Sequence, residues 1–209
     1  MNKYPFIMNK RAIYHLFGGK FTIILVKFGD ISSITQKSNN SSVMSTTKYI
    51  MSSLVNLEVG QTAPKFSCVD STGKEHSLDA YTSEGKSVVL YFYPKDSTPG
   101  CTTQACDFRD SMARLNKENY VVLGVSKDSA KSHDKFIAKQ ELNFPLLMDE
   151  DISLHEAYGT WREKSMYGKT YMGTSRSTFV IGDDGLLKWV GYGVRTKGHV
   201  EKVMHDLGI

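Results

Sequence analysis

Val88-Val-Leu-Tyr-Phe-Tyr93-Pro94-Lys-Asp-Ser-Thr-Pro-Gly-Cys101-Thr-Thr-Gln-Ala-Cys106 reads as a strand, a turn and the start of a helix. The apolar run ends at Pro94, and Pro99-Gly100 marks a turn. Beyond it Ala105, Phe108, Met112 and Leu115 recur at helical spacing, which predicts a helix over 101–117. Cys101 then sits about one turn before Ala105, where backbone N–H groups lack partners and the helix dipole is positive. A thiol ionises more readily in such a place, so Cys101 is a candidate reactive cysteine.

Working outward, the chain alternates strands and helices. Phe66–Val69 reads as a short strand closed by the Asp70–Gly73 turn, and Ser87–Tyr93 as a strand buried on both faces. Tyr120–Ser126 and Phe144–Met148 are further strands, with a helix marked by Ala130, His133 and Ile137 between them. A short helix near Ser153–Tyr158 is expected to lead into a long loop. Ser177–Ile181 and Leu186–Gly191 flank Gly182-Asp-Asp-Gly185, a hairpin signal. Val200, Val203, Met204 and Leu207 predict a closing amphipathic helix. Parallel crossovers followed by a hairpin imply an α/β fold, a central mixed β-sheet flanked by helices on both faces.

The formal charge of +4 is unevenly placed. Residues 1–56 carry seven basic residues against Asp30 alone, whereas 57–209 carry 19 basic and 21 acidic residues. No Lys/Arg cluster concentrates in one element of the body, which argues against nucleic acid as a partner. Residues 1–56 read as a flexible basic extension, with a Ser/Thr/Asn-rich stretch from Ser32 to Ser53, and 57–209 as the functional domain. The apolar stretch Phe21–Val26 is bracketed by Lys20 and Lys27, too short for a membrane span of about 20 residues. The extension reads either as dispensable chain before a start at Met44 or Met51, which favours the cytoplasm, or as an organelle-targeting presequence, or as a short accessory element. Three cysteines suit a reducing compartment and match no zinc-ligand spacing.

A thiolate that attacks a peroxide needs alignment with the O–O bond and donors for the departing oxygen. Thr98, three residues before Cys101, can bring its hydroxyl to the sulfur or the peroxide, and can cap the helix as well. Cys106 is the candidate resolving thiol. Five helical residues separate the two cysteines by about 7.5 Å of rise and about 140° of rotation. A disulfide tolerates Cα atoms only about 6.8 Å apart with converging Cβ vectors, so a 101–106 bond requires the first turn to unwind.

The stretch Tyr91–Asp110 resembles the active-site segment of the peroxiredoxins, in the bacterioferritin-comigratory or Q-type subfamily. Pro94, Thr98 and Cys101 meet the family's Pro-x-x-x-Thr-x-x-Cys signature, and Cys106 stands at the subfamily's resolving position. Gly60–Phe66, Trp161, Glu163-Lys164, Gly168–Thr170 and Arg176–Ile181 extend the match over roughly 57–209. The resemblance implies a thioredoxin-like fold and reduction of hydrogen peroxide and alkyl hydroperoxides without metal or cofactor. It implies recycling by thioredoxin or a glutaredoxin-like donor, and it points to a monomer. It also assigns Arg176 to the active site, which spacing alone does not reveal.

Other polar residues have plainer readings. Cys68 is expected to be a structural thiol, Lys95 and Asp96 solvent-facing charges, and His133 and His155 surface or packing residues. Trp161 and Tyr171 read as packing and loop residues. Two rival functions stay open on the residues alone. A thiol–disulfide oxidoreductase would want Cys-x-x-Cys where Thr98 stands. A redox sensor or chaperone would bind a partner through the oxidised, unwound helix.

Overall fold

The computed structural model describes residues 12–17, 20–25, 55–166 and 168–209. Strands β1 (Ala12–Phe17) and β2 (Lys20–Leu25) pair antiparallel as a hairpin within the expected extension. The rest of residues 1–54, including the Ser/Thr/Asn-rich stretch and both candidate starts, lies outside the described residues. The hairpin falls in one compact unit and residues 55–209 in another.

In the second unit the order is β3 (Ser67–Val69), β4 (Glu75–Ser77), α1 (Leu78–Ser83), β5 (Ser87–Phe92), α2 (Pro99–Lys117), β6 (Tyr120–Ser126) and α3 (Ala130–Gln140). There follow β7 (Leu146–Met148), α4 (Ser153–Ala157), β8 (Trp161–Met166), β9 (Lys169–Thr174), β10 (Ser177–Ile181), β11 (Leu187–Tyr192) and α5 (His199–Leu207). Five strands form the central mixed sheet in the order β11-β10-β5-β6-β7. β5, β6 and β7 run parallel, and β10 lies antiparallel between β5 and β11.

β5 shows why its sequence is apolar without alternation. Val89 and Tyr91, with Tyr93 just beyond the strand, join one core layer with Ala105, Phe108 and Leu115 of α2, Phe136 of α3 and Val200 and Val203 of α5. Val88, Leu90 and Phe92 join the opposite layer with Leu78 of α1, Leu154 of α4 and Tyr158. The sheet is thereby covered on both faces, a thioredoxin-like α/β fold. Phe108 is fully buried, its ring tilted against Tyr91 with centroids 4.7 Å apart, so truncating it to alanine would cost about 3–5 kcal/mol. Gly124 in β6 is required by this packing, since a Cβ there would lie 2.6 Å from Leu146 Cδ2 and 2.9 Å from Tyr91 Oη.

Within residues 55–209 the element order departs from the sequence reading in two places. β4 and α1 fill the span between the Asp70–Gly73 turn and β5, with Ser77 Oγ capping α1 through Ala80 N. The long loop expected after α4 is a further hairpin, β8–β9, which pairs Trp161 with Thr174 and Lys164 with Tyr171. Among the described residues no helix is long and apolar enough to cross a membrane.

Candidate active site

The candidate site forms where β5 ends, β10 begins and α2 starts. α2 presents one stripe to the core, Cys101, Ala105, Phe108, Met112 and Leu115, and the stripe carries the first-turn cysteine inward. Cys101 is 1% exposed, in the third residue of a helix whose N-cap position is Thr98. β10 runs antiparallel to β5 and pairs Ser177 with Phe92, so the residue before Ser177 arrives beside the start of α2. That residue is Arg176, 75 positions from Cys101 in sequence. Its Nη2 donates to Cys101 Sγ at 3.2 Å and its Nη1 to Gln104 Oε1 at 2.6 Å. A permanent positive charge and the open end of a helix thus converge on one sulfur.

Gln104, fully buried three residues along α2, is a neighbour the sequence reading missed. Its Nε2 is buried without a partner, although Oε1 serves the arginine. The i, i+3 spacing from Cys101 placed it on the same helix face and was the available signal. Lys164 was also missed as a site neighbour. Burial and the nearby Arg176 charge push its ammonium below the ordinary lysine value, while Cys101 acts in the opposite sense. A Cβ at Gly100 would make ordinary contacts, 3.5 Å from Arg176 Nη2 and 3.4 Å from Thr196 Cγ2, so space alone does not demand glycine there.

Thr98 occupies the N-cap position, and its carbonyl accepts the helix's first bond from Thr102 N at 2.8 Å. Its side chain makes no capping bond. Oγ1 donates to Lys95 O at 3.0 Å instead, which leaves the oxygen's lone pairs free and corrects the expectation of a capping hydroxyl. Pro94 lies exposed in the turn after β5. Lys95 is exposed as expected, but Asp96 is 6% exposed, held by Tyr93 Oη at 2.7 Å and His133 Nδ1 at 2.9 Å. A solvent-facing Asp96 is therefore wrong. The buried imidazole of α3, remote in sequence, draws the carboxylate inward.

Cys106 is rotated off the core stripe and half-buried, with Sγ 3.7 Å from Gln140 Oε1 at the end of α3. Arg109 Nη1 donates to Gln140 O at 2.6 Å beside it. All three cysteines are free thiols. Cys68 donates to Met148 O at 3.1 Å, and burial with the nearby Asp149 charge pushes its thiol up to about 11. His155 is fully buried between Asp149 (2.5 Å) and Thr174 (3.0 Å), and Trp161 packs edge-on against it. Tyr171 lies on β9, 46% exposed. Among the described residues no three His, Cys, Asp or Glu side chains converge as a metal site would require.

The AhpC/TSA family model matches residues 59–190, a span that contains the whole arrangement from Pro94 to Arg176. Fold and family together define a thiol-dependent peroxidase, an oxidoreductase that reduces peroxides through a cysteine. The chain is 47% identical over 153 residues to the putative peroxiredoxin bcp of Coxiella burnetii, covering 73% of this chain and all of that protein. It is 44% identical over 151 residues to peroxiredoxin Bcp of Escherichia coli K12, covering 72% of this chain and 96% of that one. A cysteine-to-serine mutant of peroxiredoxin Q from Xylella fastidiosa superposes with a TM-score of 0.69 at 37% identity, over 74% of this chain and 97% of that chain. A different cysteine-to-serine mutant, of peroxiredoxin Q from Xanthomonas campestris, gives 0.65 at 42% identity, over 68% of this chain and 90% of that chain. The chain belongs to the AhpC/TSA peroxiredoxin family, in its BCP/PrxQ-type subfamily.

Proposed function

We propose that Cys101 is the peroxidatic cysteine, Cys106 the resolving cysteine, and thioredoxin or a glutaredoxin-like dithiol the reductant of hydrogen peroxide and alkyl hydroperoxides. The observation that carries this reading is the 3.2 Å bond from Arg176 Nη2 to a sulfur in the first turn of α2. The Cys101 thiolate attacks the terminal oxygen of ROOH. An S–O bond forms, the O–O bond breaks, and the departing RO⁻ takes a proton from solvent to leave as alcohol or water. Arg176 and the N–H groups of the first turn face the oxygens on which charge develops, and donors fixed in advance stabilise a transition state at little reorganisation cost. The Thr98 hydroxyl, anchored through its hydrogen on Lys95 O, offers an acceptor to the peroxide's own O–H. Pro94 ends β5 and delivers the loop to the site.

The sulfenic acid on Cys101 then condenses with the Cys106 thiol, forming the S–S bond and releasing water. With Cys101 on the core stripe and Cys106 rotated towards Gln140, this step needs the first turn of α2 to open. The dithiol reductant restores both thiols. A monomeric, cytoplasmic enzyme with its activity in 57–209 accords with this cycle. The test is peroxide consumption coupled to a thioredoxin system. Cys101→Ser is expected to abolish turnover, because an alcohol supplies almost no anion at neutral pH. Residual turnover above about a tenth of wild type would remove Cys101 as nucleophile. Insulin-disulfide reduction without peroxide turnover would instead identify a thiol–disulfide oxidoreductase.

A further inference from the structure

The loop that hands β5 to α2 carries a construction the proposed chemistry does not use. Between Tyr93 and Thr98 only Asp96 turns its side chain inward, while Pro94, Lys95 and Ser97 are exposed. A buried carboxylate is tolerated only when its charge is hydrogen-bonded. Tyr93 Oη donates to Oδ1 at 2.7 Å, and the fully buried His133 of α3 donates through Nδ1 to Oδ2 at 2.9 Å. The Asp96 amide donates to Asp128 Oδ2 at 2.9 Å, and the same oxygen accepts from Ser126 Oγ at 2.8 Å. Burial alone would raise the Asp96 carboxyl, but the bonds from His133 and Tyr93 outweigh it and hold it below its ordinary value.

The next residue is strained. Ser97 has φ 57°, in the left-handed region that residues with a Cβ adopt reluctantly. Such a conformation persists only where the surroundings over-determine it. Directly after it, Thr98 returns to extended backbone and opens α2. The first turn, with Cys101, therefore follows a kink held from within by the Asp96 carboxylate on Tyr93 and His133, and by the Asp96 amide on Asp128.

We propose that Asp96 and His133 form a positioning latch, a carboxylate–imidazole pair that fixes this kink and thereby sets Thr98 and Cys101 against Arg176 for the peroxide step. The inference rests on the reading of Cys101 as nucleophile. It makes α3, whose hydrogen bonds reach Asp96 rather than the Cys101 sulfur, a determinant of that sulfur's alignment. It also gives the opening of α2 a fixed end, because the latch lies before the turn that unwinds.

The test uses the full chain, with Asp96→Ala, Asp96→Asn, His133→Phe and His133→Asn. Single-turnover reaction of the reduced protein with hydrogen peroxide is compared with alkylation of Cys101 by iodoacetamide at the same pH, and melting temperature is followed in parallel. Alkylation needs an ionised, accessible sulfur but no alignment with an O–O bond. Asp96→Ala and His133→Phe are expected to slow the peroxide reaction by about tenfold to a hundredfold, the cost of a misplacement of about 1 Å, while alkylation changes far less. Asp96→Asn keeps an acceptor, and His133→Asn keeps an N–H close to the Nδ1 position. Both are expected to recover most of the rate. A wild-type peroxide rate in Asp96→Ala, or equal loss of both reactions, would overturn the latch. Should Asp96→Ala fail to fold, the His133 pair decides, and equal peroxide rates in His133→Phe and His133→Asn would overturn it. If the wild-type chain itself shows no Cys101-dependent peroxide consumption, the nucleophile reading has failed; wild-type activity with unaltered variants removes the latch alone.

Discussion

Replacing Arg176 by alanine removes two charge-assisted bonds at once, to Cys101 Sγ at 3.2 Å and to Gln104 Oε1 at 2.6 Å. A hydrogen bond to a charged group contributes about 1.5–3 kcal/mol, and 1.36 kcal/mol corresponds to a factor of ten in rate. Loss of the sulfur bond alone is then worth about 10- to 150-fold in the peroxide step, if it is made fully in the transition state. The second bond acts on stability. Gln104 is fully buried and its Nε2 already lacks a partner, so removing Arg176 leaves the whole amide unsatisfied. That costs about 1–3 kcal/mol, seen as a melting temperature lower by several degrees. Arg176→Lys retains a charge but not the planar fork, and can serve one of the two acceptors; it is expected to recover only part of the rate. Stopped-flow mixing of the reduced protein with peroxide measures the first effect and thermal unfolding the second. An alanine variant that reacts with peroxide at the wild-type rate would refute the reasoning, whatever its stability.

Three further outcomes follow from the same geometry. Burial and the charges of Arg176 and Lys202 push His199 down to about 4, so the folded state keeps it neutral where the unfolded chain, near 6.5, takes up a proton. Stability therefore falls as pH drops from about 7 towards 4, by about 2 kcal/mol at pH 5 and about 3 kcal/mol in all. Urea unfolding of wild type and His199→Gln should differ by that pH dependence, and parallel curves would contradict it. Cys106→Ser is expected to give one burst of peroxide consumption and then stall with thioredoxin, with Cys101 more readily over-oxidised; steady cycling at the normal rate would mean an external thiol resolves the sulfenic acid. Removal of residues 1–50 is expected to leave peroxidase activity nearly unchanged, and a large loss would show that the segment supports the catalytic unit.

The parts of the fold that declared themselves in the sequence are those whose burial is periodic or continuous. β5 and β6 are apolar because both faces are covered, α5 shows its stripe at Val200, Val203, Met204 and Leu207, and Gly182–Gly185 closes the β10–β11 hairpin. The β8–β9 hairpin was hidden because its strands run through Arg162, Glu163, Lys164, Lys169 and Tyr171, mostly outside the core. Its pairing and the packing of Trp161 on His155 hold it, and neither leaves an apolar rhythm. In the candidate site, Cys101 in the first turn of α2 and Thr98 at its N-cap position were readable from local spacing. Arg176 was not, since its place depends on β10 running back along β5, and only the family resemblance pointed to it. Asp96 was misread because its burial depends on His133, 37 residues further along the chain.

The most direct test of the proposed cycle is to treat the reduced chain with one equivalent of hydrogen peroxide, block free thiols, and map the cysteines by mass spectrometry alongside amide exchange. The expected product is a Cys101–Cys106 disulfide with Cys68 still a thiol, and faster exchange over 102–109 while the central sheet keeps its protection. A product with Cys106 free, a bridge that uses Cys68, or a 101–106 bond with exchange over 102–109 equal to that of the reduced protein would contradict the account.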